Sequence, residues 1–204
     1  MQFEIIYRPS LKDIKESLYI EKNYLEQSTI SSIEQVLEWD SKNKDIHIFV
    51  KDIIKDKIVG EITILPLSEE QYIRFMNNKL KDTEINYNTL LNYESNKSYY
   101  LLFSAIAIDP EYRNNRLILS LLLKGLYDKI CYIQNKKISF TNMCAEGQTL
   151  EGQKFIESFL DMKYKNKTKE GYKLYSFDAS KEFDNWLNKL PKYIKSYDNK
   201  FEVR

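Results

Sequence analysis

The sequence predicts an α/β domain in which helices flank a mixed sheet, and three stretches carry that expectation. Residues 99–108, YYLLFSAIAI, are almost wholly apolar, the pattern of a central strand covered on both faces. Directly after them, Leu119, Leu122, Leu123, Leu126 and Ile130 recur at helical steps, which marks the apolar face of a helix running to about residue 133. Upstream, HIFVKDIIKDKIVGEITILPL holds two β-rich runs, residues 46–54 and 58–65, around the polar turn Lys55-Asp56-Lys57, as a hairpin does.

The remaining elements follow in order. Residues 3–7 read as a strand that Pro9-Ser10 stops. Ser10 then caps an amphipathic helix over 11–25, with Leu11, Ile14, Leu18 and Tyr19 on its apolar stripe. A second helix starts at Ser31 or Ser32 and runs to Trp39 through Ile33, Val36 and Leu37. Pro66 is expected to end the hairpin's second run. Residues 67–97 turn mixed and polar. They read as an insertion with a helix of its own over 69–80 and an asparagine-rich tail, which could serve as a lid. After the central strand and its helix come a strand over 138–144, a helix over 151–160 opened by Thr149, and a closing strand over 172–177. The lysine-rich KYKNKTKEGYK reads as a solvated hairpin turned by Gly171. Residues 184–197 read as a terminal helix with Pro191 as a break. The division expected is one domain over 1–178 and a helical extension over 179–204, whose exposed Trp186 and Tyr193 could form a homodimer contact.

Composition narrows the partners. With 204 residues, 43% hydrophobic, the chain can bury one good core. Lys and Arg number 31 against 30 Asp and Glu, so no overall field draws in a polyanion and nucleic acid is not an expected partner. Two cysteines, Cys131 and Cys144, match neither a metal pair nor a disulfide framework, which predicts a reduced, cytoplasmic setting. His47 is the one histidine, a poor start for metal chemistry. No apolar stretch reaches the roughly 18 residues that a membrane helix needs, so no membrane partner is expected.

The chemistry concentrates at SAIAIDPEYRNNRLILSLLLKGL, residues 104–126, where a buried strand runs straight into a helix. A helix N-terminus carries unsatisfied N–H groups and a partial positive charge, and Arg113 and Arg116 add cations at a place where cations are otherwise disfavoured. The corner therefore predicts a phosphorylated ligand.

This stretch resembles the strand, proline corner and acyl-CoA helix of the GNAT superfamily of N-acetyltransferases. Ile108-Asp109-Pro110-Glu111-Tyr112-Arg113 matches the family's Val/Ile-x-Pro-x-Tyr-Arg pattern, and Leu121-Leu122 matches its paired leucines. Arg116 and Ile118 stand where the family's pyrophosphate loop carries Gly or Ala. Downstream, MCAEGQTLEGQKFIESFLDMKY resembles the family's next strand and helix, with Thr149 and Gly152 in place and Asp161-Met162 replacing the usual Gly-Phe.

The resemblance implies a mixed, mostly antiparallel central sheet flanked by helices, with the strand ending at Ile108 splayed from the one ending near Cys144. It implies acetyl-CoA as co-substrate, with the backbone of Ala107 and Ile108 on the pantetheine and Arg113, Asn114, Asn115, Arg116, Leu117 and Ile118 around the pyrophosphate. The reaction implied is direct attack by an amine, of a small molecule or a peptide, on the acetyl thioester. Glu61 and Glu146 are the candidate bases, although a lone glutamate on an alternating strand is as readily a solvated one. No tyrosine aligns for the leaving-group acid, since the helix carries Phe155, Ile156 and Glu157; Tyr164, just beyond, is the substitute. The two departures leave an alternative, a GNAT-like domain that binds CoA or a protein partner without catalysis.

Overall fold

The computed structural model describes residues 2–25 and 29–198, and the apolar run of the sequence is the middle strand of seven. The strands are β1 (Phe3–Ile6), β2 (His47–Asp52), β3 (Lys57–Leu67), β4 (Ser98–Ile108), β5 (Ser139–Gly147), β6 (Lys163–Lys167) and β7 (Lys173–Phe177). They lie in the order β1-β2-β3-β4-β5-β7-β6, and every neighbouring pair is antiparallel except β4 with β5. The mixed, mostly antiparallel sheet is therefore as expected.

Local chemistry sets the helix starts. The Ser10 hydroxyl accepts from the Asp13 N–H at 3.2 Å and the Asp13 carboxylate accepts from the Ser10 N–H at 2.8 Å, a reciprocal cap that opens α1 (Leu11–Glu21). Ser32 caps α2 (Ile33–Lys42), Ser68 with Gln71 caps α3 (Glu69–Met76), and Thr149 caps α5 (Leu150–Phe159). Helix α4 (Arg116–Asn135) runs along one face of the sheet, with α6 (Ala179–Leu187) and α7 (Leu190–Asp198) completing that layer.

Two cores result. On the α4 face Ile48, Ile62, Ile64, Leu101, Phe103, Leu122, Leu126 and Trp186 pack together. On the opposite face Ile14, Trp39, Phe49, Leu65, Phe75, Ile85, Leu90 and Leu102 pack under α1, α2 and the inserted segment. Gly125 lets α4 close on the sheet, because a Cβ there would stand 2.5 Å from Ile48 Cγ2. Gly171 turns the β6–β7 hairpin with φ of 93°.

Three expectations need correction. Pro66 does not end β3, which pairs with β4 as far as Leu67. Strand β2 stops opposite Thr63, so on that side Pro66 has no neighbour to which it must donate. The terminal helix breaks at Asn188 and Lys189, and Pro191 sits in the first turn of α7, where its missing N–H costs nothing. Trp186, expected on an exposed face, is buried and donates its indole N–H to the Phe159 carbonyl at 2.9 Å. Among the described residues no helix is long and apolar enough to cross a membrane.

Candidate active site

The site begins where β4 leaves β5. The two strands pair in parallel from Ser98 opposite Ser139 to Phe103 opposite Ala145. Past that point β4 continues beside β3 alone, while Glu146 and Gly147 continue beside β7. A wedge opens between them. At its apex β4 bulges: Thr63 faces Ala105 and Ile64 faces Phe103, which leaves Ser104 unopposed.

The register fixes which backbone groups look into the wedge. The Asp109 N–H donates to the Val59 carbonyl at 2.9 Å, and in an antiparallel ladder such bonded pairs alternate. Ala107, opposite Glu61, therefore turns its N–H and C=O toward β3, whereas Ile106 and Ile108 turn theirs toward the wedge. Of the two residues named from the resemblance, Ile108 faces the gap and Ala107 does not; Ile106 takes its place because the ladder alternates by two. The Ile108 carbonyl accepts from the Tyr24 hydroxyl at 2.6 Å, and the Arg113 guanidinium lies 4.9 Å over the same Tyr24 ring.

At the corner, Asp109 accepts from the Glu111 N–H at 2.9 Å and pairs with Lys57 at 2.8 Å, which fixes the single helical turn Pro110–Tyr112. Asn115 caps α4 and accepts from the Leu117 N–H at 3.1 Å. Arg113, Asn114 and Arg116 are exposed, with Leu117 half-buried behind them. Ile118 is fully buried and packs against Gly60, where even a Cβ would come within 3.1 Å of it. Its bulk thus goes into the core instead of crowding the loop.

On the α1 side of the wedge lies a cavity of about 30 Å³, lined by Ser17 and Glu21 of α1, Trp39, His47, Glu61 and Thr63, Ser104 and Ala105, Asp82 and Gln148. Glu61 is 1% exposed and its Oε1 has no hydrogen-bond partner among the described residues. Burial pushes its carboxyl up to about 8. Glu21 is raised well above its ordinary value by burial and then by the charges of Glu61 and Asp82. Asp82 is raised by burial, against the hydrogen bond it takes from Ser104. Beside the cavity, Glu146 accepts from Gln148 at 2.8 Å and is pushed up to about 7 by burial and then by Asp82. His47 is also buried: Nδ1 lies 3.0 Å from the Thr63 hydroxyl, Nε2 has no partner among the described residues, and burial holds it down at about 4, neutral at physiological pH.

Asp82 arrives on the inserted segment, which is a fixed strap and not a loose loop. The Gln35 amide donates to the Thr83 and Ile85 carbonyls, each at 2.8 Å, and the Trp39 indole donates to Ile85 at 2.6 Å. Ile85 and Leu90 are buried beneath it. At its outer edge Lys81 pairs with Glu170 of the β6–β7 turn at 2.7 Å.

Glu61 and Glu146 therefore flank one wedge on one face of the sheet. Tyr164 does not join them. It is exposed on the outermost strand β6, its ring against Tyr175, whose side chain belongs to the opposite core. Alternation along β6 puts it there, with β7 and β5 between it and the wedge. Sequence reading missed Glu21, although it follows Ile14 and Leu18 on the inner stripe of α1, which was the signal available. Asp82 carried none.

No family model matches the chain, and no curated protein matches its sequence. Solved structures match it in shape. Ard1 from Thermoplasma volcanium superposes with a TM-score of 0.55 at 11% identity, over 87% of this chain and 98% of that one. The loading GNATL domain of CurA from Lyngbya majuscula gives 0.53 at 14%, over 87% and 98%. Arabidopsis thaliana Naa50, in complex with the bisubstrate analogue CoA-Ac-MVNAL, gives 0.51 at 12%, over 87% and 99%. At such identities the likeness is one of fold: the protein has the GNAT fold.

Proposed function

We propose that the protein is an N-acetyltransferase that moves the acetyl group of acetyl-CoA to a primary amine by direct attack. The observation that carries this reading is the parting of β4 from β5 beside a buried carboxyl, Glu61, whose Oε1 has no hydrogen-bond partner among the described residues. The wedge offers an extended chain the backbone groups of Ile106 and Ile108, and the exposed Arg113 and Arg116 stand at the start of α4 to take a pyrophosphate. In this reading Asn114, Asn115, Leu117 and Ile118 form the loop around the same group, and the arginines carry most of the binding, because the N–H groups of Asn115, Leu117 and Ile118 already donate to the Tyr112 carbonyl, the Asn115 side chain and the Asn115 carbonyl. The first 178 residues form the catalytic unit, and α6 and α7 extend its α4 layer.

The chemistry follows from the carboxyls. An alkylamine arrives protonated and is inert until it loses that proton. Glu61 and Glu146, with values near 8 and 7, can accept it close to neutral pH. The freed lone pair attacks the thioester carbonyl carbon, the C–N bond forms and the C–S bond breaks. The thiolate leaves with the electron pair, and the second proton of the nitrogen passes to solvent as solvent protonates the thiolate. Tyr164 is too far round the sheet for that role.

The test is to mix the purified chain with acetyl-CoA and a panel of primary amines and follow thiol release and product mass. Acetylated amine supports the reading; intact acetyl-CoA with every amine contradicts it. One observation favours the alternative of a non-catalytic CoA-binding or protein-interaction domain: the Tyr24 hydroxyl already holds the Ile108 carbonyl and Asn115 already holds the Leu117 N–H.

A further inference from the structure

The cavity beside Glu61 has two features that point to what enters it. It is about 30 Å³, room for about two water molecules, so an amino group with the first carbon of a slender chain fits it better than a branched centre does. Two of the side chains that line it, each 1% exposed, carry a buried polar atom with no hydrogen-bond partner among the described residues: Glu61 Oε1 and His47 Nε2. An amino group on an unbranched carbon chain has the donors that both atoms call for. A peptide α-amine is the poorer match, because its Cα carries an amide and, glycine apart, a side chain.

Outside the cavity the negative charge continues. Glu146, near the end of β5, accepts at 2.8 Å from Gln148, which lines the cavity, and it feels the charges of Asp82 and Glu170. Lys81, next to the cavity-lining Asp82, lies 2.7 Å from Glu170 and within the field of Glu146 and Glu84. Half of the Lys81 side chain is exposed, so this pair is weak and another ammonium can replace it or join it.

Resting on the acetyltransferase reading, we propose that the acceptor is a linear aliphatic diamine or polyamine: its reacting amino group enters the cavity at Glu61, and a second, charged ammonium lies at the mouth between Glu146 and Glu170. The first nitrogen gives its proton to Glu61, and the second keeps its own and provides the specificity.

The experiment is calorimetric titration of the full chain with putrescine, butylamine and an alanine tripeptide at low salt, in wild type and Glu146→Gln, with thiol release from acetyl-CoA followed in parallel. Putrescine binds about tenfold or more tighter than butylamine, and the ratio falls toward one in Glu146→Gln. An unfolding midpoint no lower than that of wild type shows that this variant, which removes a like charge, is folded. Equal affinity for putrescine and butylamine, tighter binding of the tripeptide, or no binding of any of them overturns the proposal. Selective putrescine binding without thiol release upholds the amine site and overturns the acetyltransferase reading alone.

Discussion

The Ser104 hydroxyl donates to the Asp82 carboxylate at 2.8 Å, joining the bulged residue at the apex of the wedge to the strap that crosses above it. A buried acceptor that loses its donor costs about 1–3 kcal/mol. Ser104→Ala is therefore expected to lower stability by that order in denaturant unfolding and to reduce acetyl transfer, because it loosens the strap beside the proposed acceptor site.

Glu61 links pH to both rate and stability. Its carboxyl, pushed up to about 8, must be ionised to act as a base, so kcat/KM rises as pH rises through about 8. Glu61→Gln flattens that rise and lowers kcat/KM by about 10²-fold. Stability has the opposite sign. The folded carboxyl holds its proton more tightly than the unfolded one at 4.5, so its contribution is full below 4.5 and is lost as pH climbs toward 8. The thermal midpoints of wild type and Glu61→Gln should coincide near pH 4 and diverge by pH 8, with the variant the more stable.

Tyr24 is a brake on the wedge. A ligand chain that uses the Ile108 carbonyl must first displace the Tyr24 hydroxyl, and one such hydrogen bond is worth about 1 kcal/mol net. Tyr24→Phe is expected to tighten acetyl-CoA binding roughly fivefold in a calorimetric titration. An unchanged affinity would mean that the ligand does not use that carbonyl.

Gly125 sets two effects against each other. Alanine is the better helix former by about 1 kcal/mol, but its Cβ would stand 2.5 Å from Ile48 Cγ2. Overpacking costs about 1–3 kcal/mol, so steric conflict wins and Gly125→Ala should lower the denaturation midpoint.

The sheet was legible in the sequence where one residue type dominated. The apolar run of β4 marked its burial, and Ser10, Thr149 and Gly171 marked a helix start, a second one and a turn through their own backbone chemistry. Pro66 misled because its cost depends on where β2 ends, which is a property of the neighbour and not of the residue. The site divided in the same way. Glu61 and the arginine corner lie within strand and helix patterns, so they could be found. Asp82 reaches the cavity only because Gln35 and Trp39, more than forty positions away, hold its loop down. The choice between Ala107 and Ile106 needed the phase of a ladder, which no composition carries.

The central claim is that the wedge and the corner together bind an acyl-CoA. Calorimetric titration of the full chain with acetyl-CoA, in wild type and in Arg113→Ala/Arg116→Ala, tests it most directly, since both arginines are exposed and an unchanged unfolding midpoint checks that the double variant is folded. The account predicts saturable binding that weakens about tenfold or more in the double variant and weakens further with added salt. No binding by wild type at about one millimolar, or equal affinity in the two proteins, would contradict it.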